Sequence, residues 1–124
     1  MRLWMLGFVL VAATMVSGCT ETQPPASVNA RLEEHNVTIH RYVYEPGTNA
    51  TLNVTLGDEV VLHLTSTDVT HGFAIQEYGI NVEVPAGHSV DVRFKADKAG
   101  DFVIYCTVFC GSGHPQHKGT LHVA

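Results

Sequence analysis

From about residue 36 onward, hydrophobic and polar positions alternate with a period of two. Leu52, Val54 and Leu56 interleave with Thr51, Asn53 and Thr55, and Val90, Val92 and Phe94 interleave with Ser89, Asp91, Arg93 and Lys95. Successive side chains of a strand point to opposite faces, so this alternation describes strands with one buried and one wetted face. The pattern breaks where turn-forming residues gather, at Glu45-Pro46-Gly47, Gly57-Asp58, Pro85-Ala86-Gly87 and Lys98-Ala99-Gly100. Strands are predicted near residues 37–44, 50–56, 59–66, 69–76, 88–95, 101–106 and 118–123, with no amphipathic helix between them. About seven short strands punctuated by turns make an all-β sandwich or barrel, of Greek-key type and in a single domain.

The residues before that pattern have a different character. Arg2 is followed by an apolar run from Leu3 to about Val16, which ends in Val16-Ser17-Gly18-Cys19. This is the arrangement of an export signal. The run falls short of the roughly 20 residues needed to cross a bilayer. Ser17 and Gly18 directly before Cys19 resemble a bacterial lipobox, in which the cysteine is lipidated and becomes the new N-terminus. The organisation expected is a lipoprotein signal peptide over residues 1–18, a flexible tether over 19–35 running from lipidated Cys19, and a folded domain over 36–124. Pro24-Pro25 and the lack of any periodicity mark the tether. A protein of this plan is exported and anchored to a bacterial membrane, facing the periplasm or the cell exterior.

The 124-residue chain is 45% hydrophobic and 15% charged, which is ordinary for a globular domain. It has 7 basic and 12 acidic residues, and loss of residues 1–18 removes only Arg2, leaving 6 against 12. Phosphate binding needs clustered lysine and arginine, so nucleic acid is not the expected partner. An acidic surface suits a basic protein partner instead. With Cys19 assigned to lipid, the remaining thiols are Cys106 and Cys110, in a compartment where thiols oxidise unless they are paired or metal-bound.

Those two thiols sit in the chemically densest stretch of the chain. Cys106-Thr107-Val108-Phe109-Cys110-Gly111-Ser112-Gly113-His114-Pro115-Gln116-His117 holds two cysteines and two histidines, with glycines that let it curl back on itself. Thiolate and imidazole together select copper, zinc or iron over magnesium or calcium. His71 is the best upstream candidate to complete the set. It shares strand parity with Val69, Phe73 and Ile75, and Cys106 shares parity with Phe102 and Ile104, so both leave core faces. Three states fit the residue types: a copper site, a Cys2His2 zinc site of unusual spacing, and a Cys106–Cys110 disulfide. Of the other histidines, His63 and His122 fall on outward positions, His35 and His40 lie near the domain entrance and His88 follows a turn; each reads as a surface histidine. Tyr105 and Phe109 flank the thiols and read as packing around them. Three Asn-x-Thr triplets, at Asn36, Asn49 and Asn53, read as strand and turn chemistry.

Asp68-Val69-Thr70-His71-Gly72-Phe73-Ala74-Ile75, the segment from Gly79 to Gly87, and the run from Gly100 into Cys106-x-x-x-Cys110-Gly111-x-Gly113-His114 resemble the copper-binding cupredoxin domain of cytochrome c oxidase subunit II. The copper domain of nitrous-oxide reductase is similar in the same segments. The resemblance runs from about Tyr44 to Ala124. It implies a cupredoxin fold and a dinuclear CuA centre holding two copper ions. Cys106 and Cys110 would bridge the ions, His71 and His114 would each bind one, and the backbone carbonyl of Val108 would be a weak ligand. Where the family has a methionine, this chain has His117, an imidazole in place of a weakly donating thioether. That substitution makes the two positions less equivalent, and it leaves room for a single-copper site using His117. The role implied is transfer of single electrons between redox proteins such as a c-type cytochrome and a terminal oxidase or reductase, with no reaction catalysed on the domain itself. A catalytic one-copper site and a copper-handling role, as chaperone or sensor, are the alternatives.

Overall fold

The computed structural model describes residues 30–45 and 51–124. Cys19 and the expected signal peptide lie outside the described residues, as do Pro46 to Ala50. Nine strands occur among the described residues: β1 Leu32–His40, β2 Val43–Glu45, β3 Thr51–Val54, β4 Glu59–Ser66, β5 His71–Ile75, β6 Ile80–Val84, β7 Ser89–Lys95, β8 Gly100–Tyr105 and β9 Lys118–Val123. They form two facing sheets, β2-β1-β4-β7 and β3-β9-β8-β5-β6. The β1–β4 and β3–β9 pairs are parallel and the rest are antiparallel. Among the described residues no helix is long and apolar enough to cross a membrane.

The all-β sandwich is the architecture expected, and three details differ. β1 starts at Leu32, inside the stretch read as tether, because every residue from Leu32 to Ile39 has a parallel partner on β4. Its polar N-terminal half hides that pairing from a hydrophobicity pattern. The single strand expected over 37–44 is split by a tight turn at Arg41 and Tyr42, which folds β2 back so that His40 faces Val43 and Ile39 faces Tyr44. β6 was not among the strands expected. Its Ile80, Val82 and Val84 do alternate, but it follows β5 almost at once, through a short 3-10 turn at Gln76–Tyr78 that Gly79 closes with φ 63°.

The inward-facing positions interlock between the sheets. Ile39, Leu62, Leu64, Phe73, Ile75, Val84, Ile104 and Leu121 are almost fully buried. Outward histidines are met by carboxylates: His63 Nδ1 lies 2.7 Å from Asp91, and His122 pairs with Asp101 across the β8–β9 ladder. These positions agree with the outward parity read from the sequence.

The core should therefore be sensitive and the rim tolerant. Leu62→Ala, at a fully buried site, is expected to lower unfolding free energy by about 2–5 kcal/mol in urea titration. Leu56→Ala, at a site 46% exposed, should change it by less than about 0.5 kcal/mol.

Candidate metal centre

β5 is buried along its whole length, and His71 opens it at the end of the sandwich. Its ring is fully buried, and Asp68 fixes its orientation, with Oδ1 2.6 Å from Nε2. The Nδ1 of His71 faces inward without any hydrogen-bond partner. Asp68 is itself pinned by the amides of Val69 and Arg41. Burial raises the Asp68 pKa, but those amides and His71 outweigh it and hold the carboxyl down near 2.

β8 delivers Cys106 to the same place. Tyr105 pairs with Lys118, so everything between them closes as a loop off the β8–β9 ladder, stitched by Cys106 N–H to the His117 carbonyl at 3.3 Å. Within the loop His114–Gln116 forms one 3-10 turn that swings His117 back under the sulfurs. Cys106 Sγ and Cys110 Sγ lie 3.6 Å apart, and Cys110 Sγ is 3.6 Å from Nδ1 of both His114 and His117. The Val108 carbonyl sits 3.0 Å from Cys106 Sγ, and the Gly72 amide donates to the same sulfur at 3.3 Å.

Close approach of β5 and the loop depends on missing side chains. A Cβ on Gly72 would lie 2.4 Å from the Thr107 amide nitrogen, and one on Gly113 would lie 2.2 Å from the Tyr42 ring. Tyr42 and Arg41, at the tip of the β1–β2 turn, cover the loop from outside, and Arg41 Nε donates to the Cys110 carbonyl at 3.3 Å. Beneath them Tyr44 stacks on the His117 ring with centroids 4.2 Å apart, and its hydroxyl donates to the Gly72 carbonyl at 2.9 Å.

His71, Cys106, Cys110 and His117 converge so that one donor atom from each lies within 4.8 Å of the others, all buried. Outside that quartet, His114 Nδ1 approaches Cys110 Sγ and the Val108 carbonyl approaches Cys106 Sγ. Without a cation the pocket is costly. Burial, and then Cys106 beside it, raise the Cys110 thiol to about 11. Burial, and then His71, push His117 down to about 4, with the Val43 carbonyl and Asp68 opposing. Nδ1 of His71 is buried without a hydrogen bond, a penalty of about 1–3 kcal/mol. A soft metal ion removes most of these costs at once: it draws protons from the thiols and gives the free nitrogen of His71 a partner. The donor set therefore fits copper in kind.

A profile of the cytochrome c oxidase subunit II periplasmic domain matches residues 31–120. The chain belongs to this family. It is a CuA-like cupredoxin domain. Cytochrome c oxidase subunit 2 of Thermus thermophilus is 40% identical over 72 residues, covering 58% of this chain and 53% of that protein. Nitrous-oxide reductase of Cupriavidus necator is 48% identical over 71 residues, 54% of this chain but 11% of that enzyme. The chain thus spans about half the length of the curated oxidase subunit it matches. Among solved structures, the periplasmic domain of subunit II of cytochrome oxidase from Bradyrhizobium japonicum superposes with a TM-score of 0.66 at 20% identity, over 74% of this chain and 83% of that one.

Sequence reasoning passed over several residues that shape this subunit II-type pocket. Asp68 has no expected role in the sequence, and its spacing of three from His71 is the signal that points to it. Arg41, Tyr42 and Tyr44 carried no signal, because they reach the loop only through the β1–β2 turn. Phe109, expected to pack around the thiols, is instead 77% exposed, its ring tilted over His114.

Two outcomes test this geometry. Gly72→Ala should destabilise the domain by about 1–3 kcal/mol in urea, because neither β5 nor the Thr107 backbone can retreat cheaply. The metal-free, reduced domain should also lose stability in acid. Folded His117 stays neutral down to about pH 4, whereas in the unfolded chain it takes up a proton near 6.5. The His117 contribution is then full above pH 6.5 and is lost toward pH 4, and Asp68 extends the fall as it protonates between 3.8 and about 2. In His117→Met the upper part of that fall should vanish while the lower part remains.

Proposed function

We propose that this domain holds two copper ions in a CuA-like centre and passes single electrons between extracytoplasmic redox partners, such as a c-type cytochrome and a terminal oxidase or reductase. Lipidated Cys19 would tether it to the membrane, with the residues after it as spacer. The observation that carries this reading is the buried sulfur pair: His71 and His117 converge on Cys106 and Cys110, and His114 and the Val108 carbonyl each approach one of the same two sulfurs. Copper bound there would supply a one-electron site whose change of charge is spread over two ions through two sulfurs.

The protein's part is to keep the donors still. Asp68 holds His71 from behind, Tyr44 clamps the face of His117, and the Gly72 amide fixes one sulfur. Donors restrained in this way move little when the charge changes, which keeps the reorganisation barrier low. Burial of both cysteines keeps water from the sulfurs, while half-buried His114 and exposed Phe109 bring the site to the protein surface. Family membership supports the electron-transfer role.

Copper added to the reduced, metal-free domain should bind at two ions per chain and give a seven-line mixed-valence electron paramagnetic resonance spectrum. A single copper with a four-line spectrum, or tight cuprous binding with no stable oxidised form, would replace this reading with a mononuclear or a copper-handling one. Cys110→Ser should abolish the coupled pair, and its survival would contradict the assignment.

A further inference from the structure

The two sides of the sulfur pair are unequal. On the inner side His71 and His117 add two imidazole nitrogens to the two sulfurs, giving four strong donors from fully or nearly fully buried residues. A tetrahedral ion with bonds of roughly 2.0–2.3 Å needs donors about 3.3–3.8 Å apart, so a set already within 4.8 Å needs only a modest contraction. Outside that quartet, at an outer position, one imidazole, His114, approaches Cys110 and one neutral carbonyl, Val108, approaches Cys106.

Preorganisation adds to the imbalance. His71 has its far nitrogen bonded to Asp68, the arrangement that orients metal-ligating histidines. The His117 ring is stacked face-on against Tyr44 and has Tyr42 at its edge, centroids 6.2 Å apart, with its Nδ1 aimed at Cys110. His114 has the tilted Phe109 ring beside it and is only partly buried. A methionine at position 117 would leave each side with one imidazole and one weak ligand. His117 breaks that symmetry.

We infer that the inner quartet, His71, Cys106, Cys110 and His117, is a complete metal site in its own right, so that the domain loads in two separate steps and persists with one ion before the outer position fills. The inference rests on the copper-site reading above. The closed N2S2 set suits cuprous copper, and it equally suits zinc, which prefers four-coordinate sites of two cysteines and two histidines. The outer position, short of one strong donor, takes only the second ion.

Native mass spectrometry of the reduced domain, titrated without oxygen with cuprous copper and separately with zinc, tests this. At one equivalent the main species should carry a single ion, with little of the two-ion form. His117→Met should deplete that one-ion species by at least about tenfold, since losing even a partner of a ligand costs roughly 10- to 100-fold in metal affinity. His114→Ala should keep the one-ion species and lose the second ion. Equal amounts of empty and two-ion wild-type protein at one equivalent would overturn the inference while leaving the two-copper reading intact. So would loss of the first ion in His114→Ala. Failure to bind a second copper under any condition would instead strike at that reading, with the inner site unaffected.

Discussion

Two sulfurs held 3.6 Å apart in a pocket closed to water are the constraint around which the rest is arranged. Thiols are weak hydrogen-bond partners, and burial holds the Cys110 proton on. Such a pair stabilises nothing by itself, and it lies beside His71, whose buried Nδ1 lacks a partner. The fold sustains this because the cost is spread over rigid elements. β8 carries Cys106, β5 lays the Gly72 amide against its sulfur, and the β8–β9 ladder holds the loop's two ends in register. The sandwich core, with Phe73 and Ile104 buried beside these strands, gives the rigidity that the pocket itself lacks.

What could be read from the chain follows how far each feature depends on neighbours in sequence. Period-two alternation revealed the strands after residue 50, β6 excepted, because their inner faces are lined by Val, Leu, Ile and Phe. Parity also placed His71 and Cys106 on core faces, and their convergence is the geometric result of β5 and β8 being adjacent in one sheet. β1 was under-read because its first half, Leu32 to Asn36, is polar and half exposed, and it pairs in parallel with residues 27 positions away. The Arg41–Tyr42 turn carried no glycine or proline to announce it.

The supporting shell was the least legible part. Tyr44 meets His117, and Arg41 meets the Cys110 carbonyl, across 69 residues or more of chain. Nothing local marks either residue as belonging to the site. Asp68 differs, since it precedes His71 by three positions and reaches it within a single turn of chain. Such partners are set by the way the β1–β2 turn folds over the loop, a property of topology rather than of motif. That turn lays Tyr42 over Gly111 and Gly113, and its Arg41 amide is one of the two that pin Asp68.

Because Tyr105 is locked opposite Lys118 and the ladder runs on to Gly100 and Val123, the segment between them is bounded like a ring with a fixed circumference. A slip of that pairing by one residue would flip β9, sending Leu121 and Val123 to the wet face. A change of identity in place leaves that register untouched. Position 117, where a fully buried imidazole stands, is one place where such a closed frame admits a different side chain.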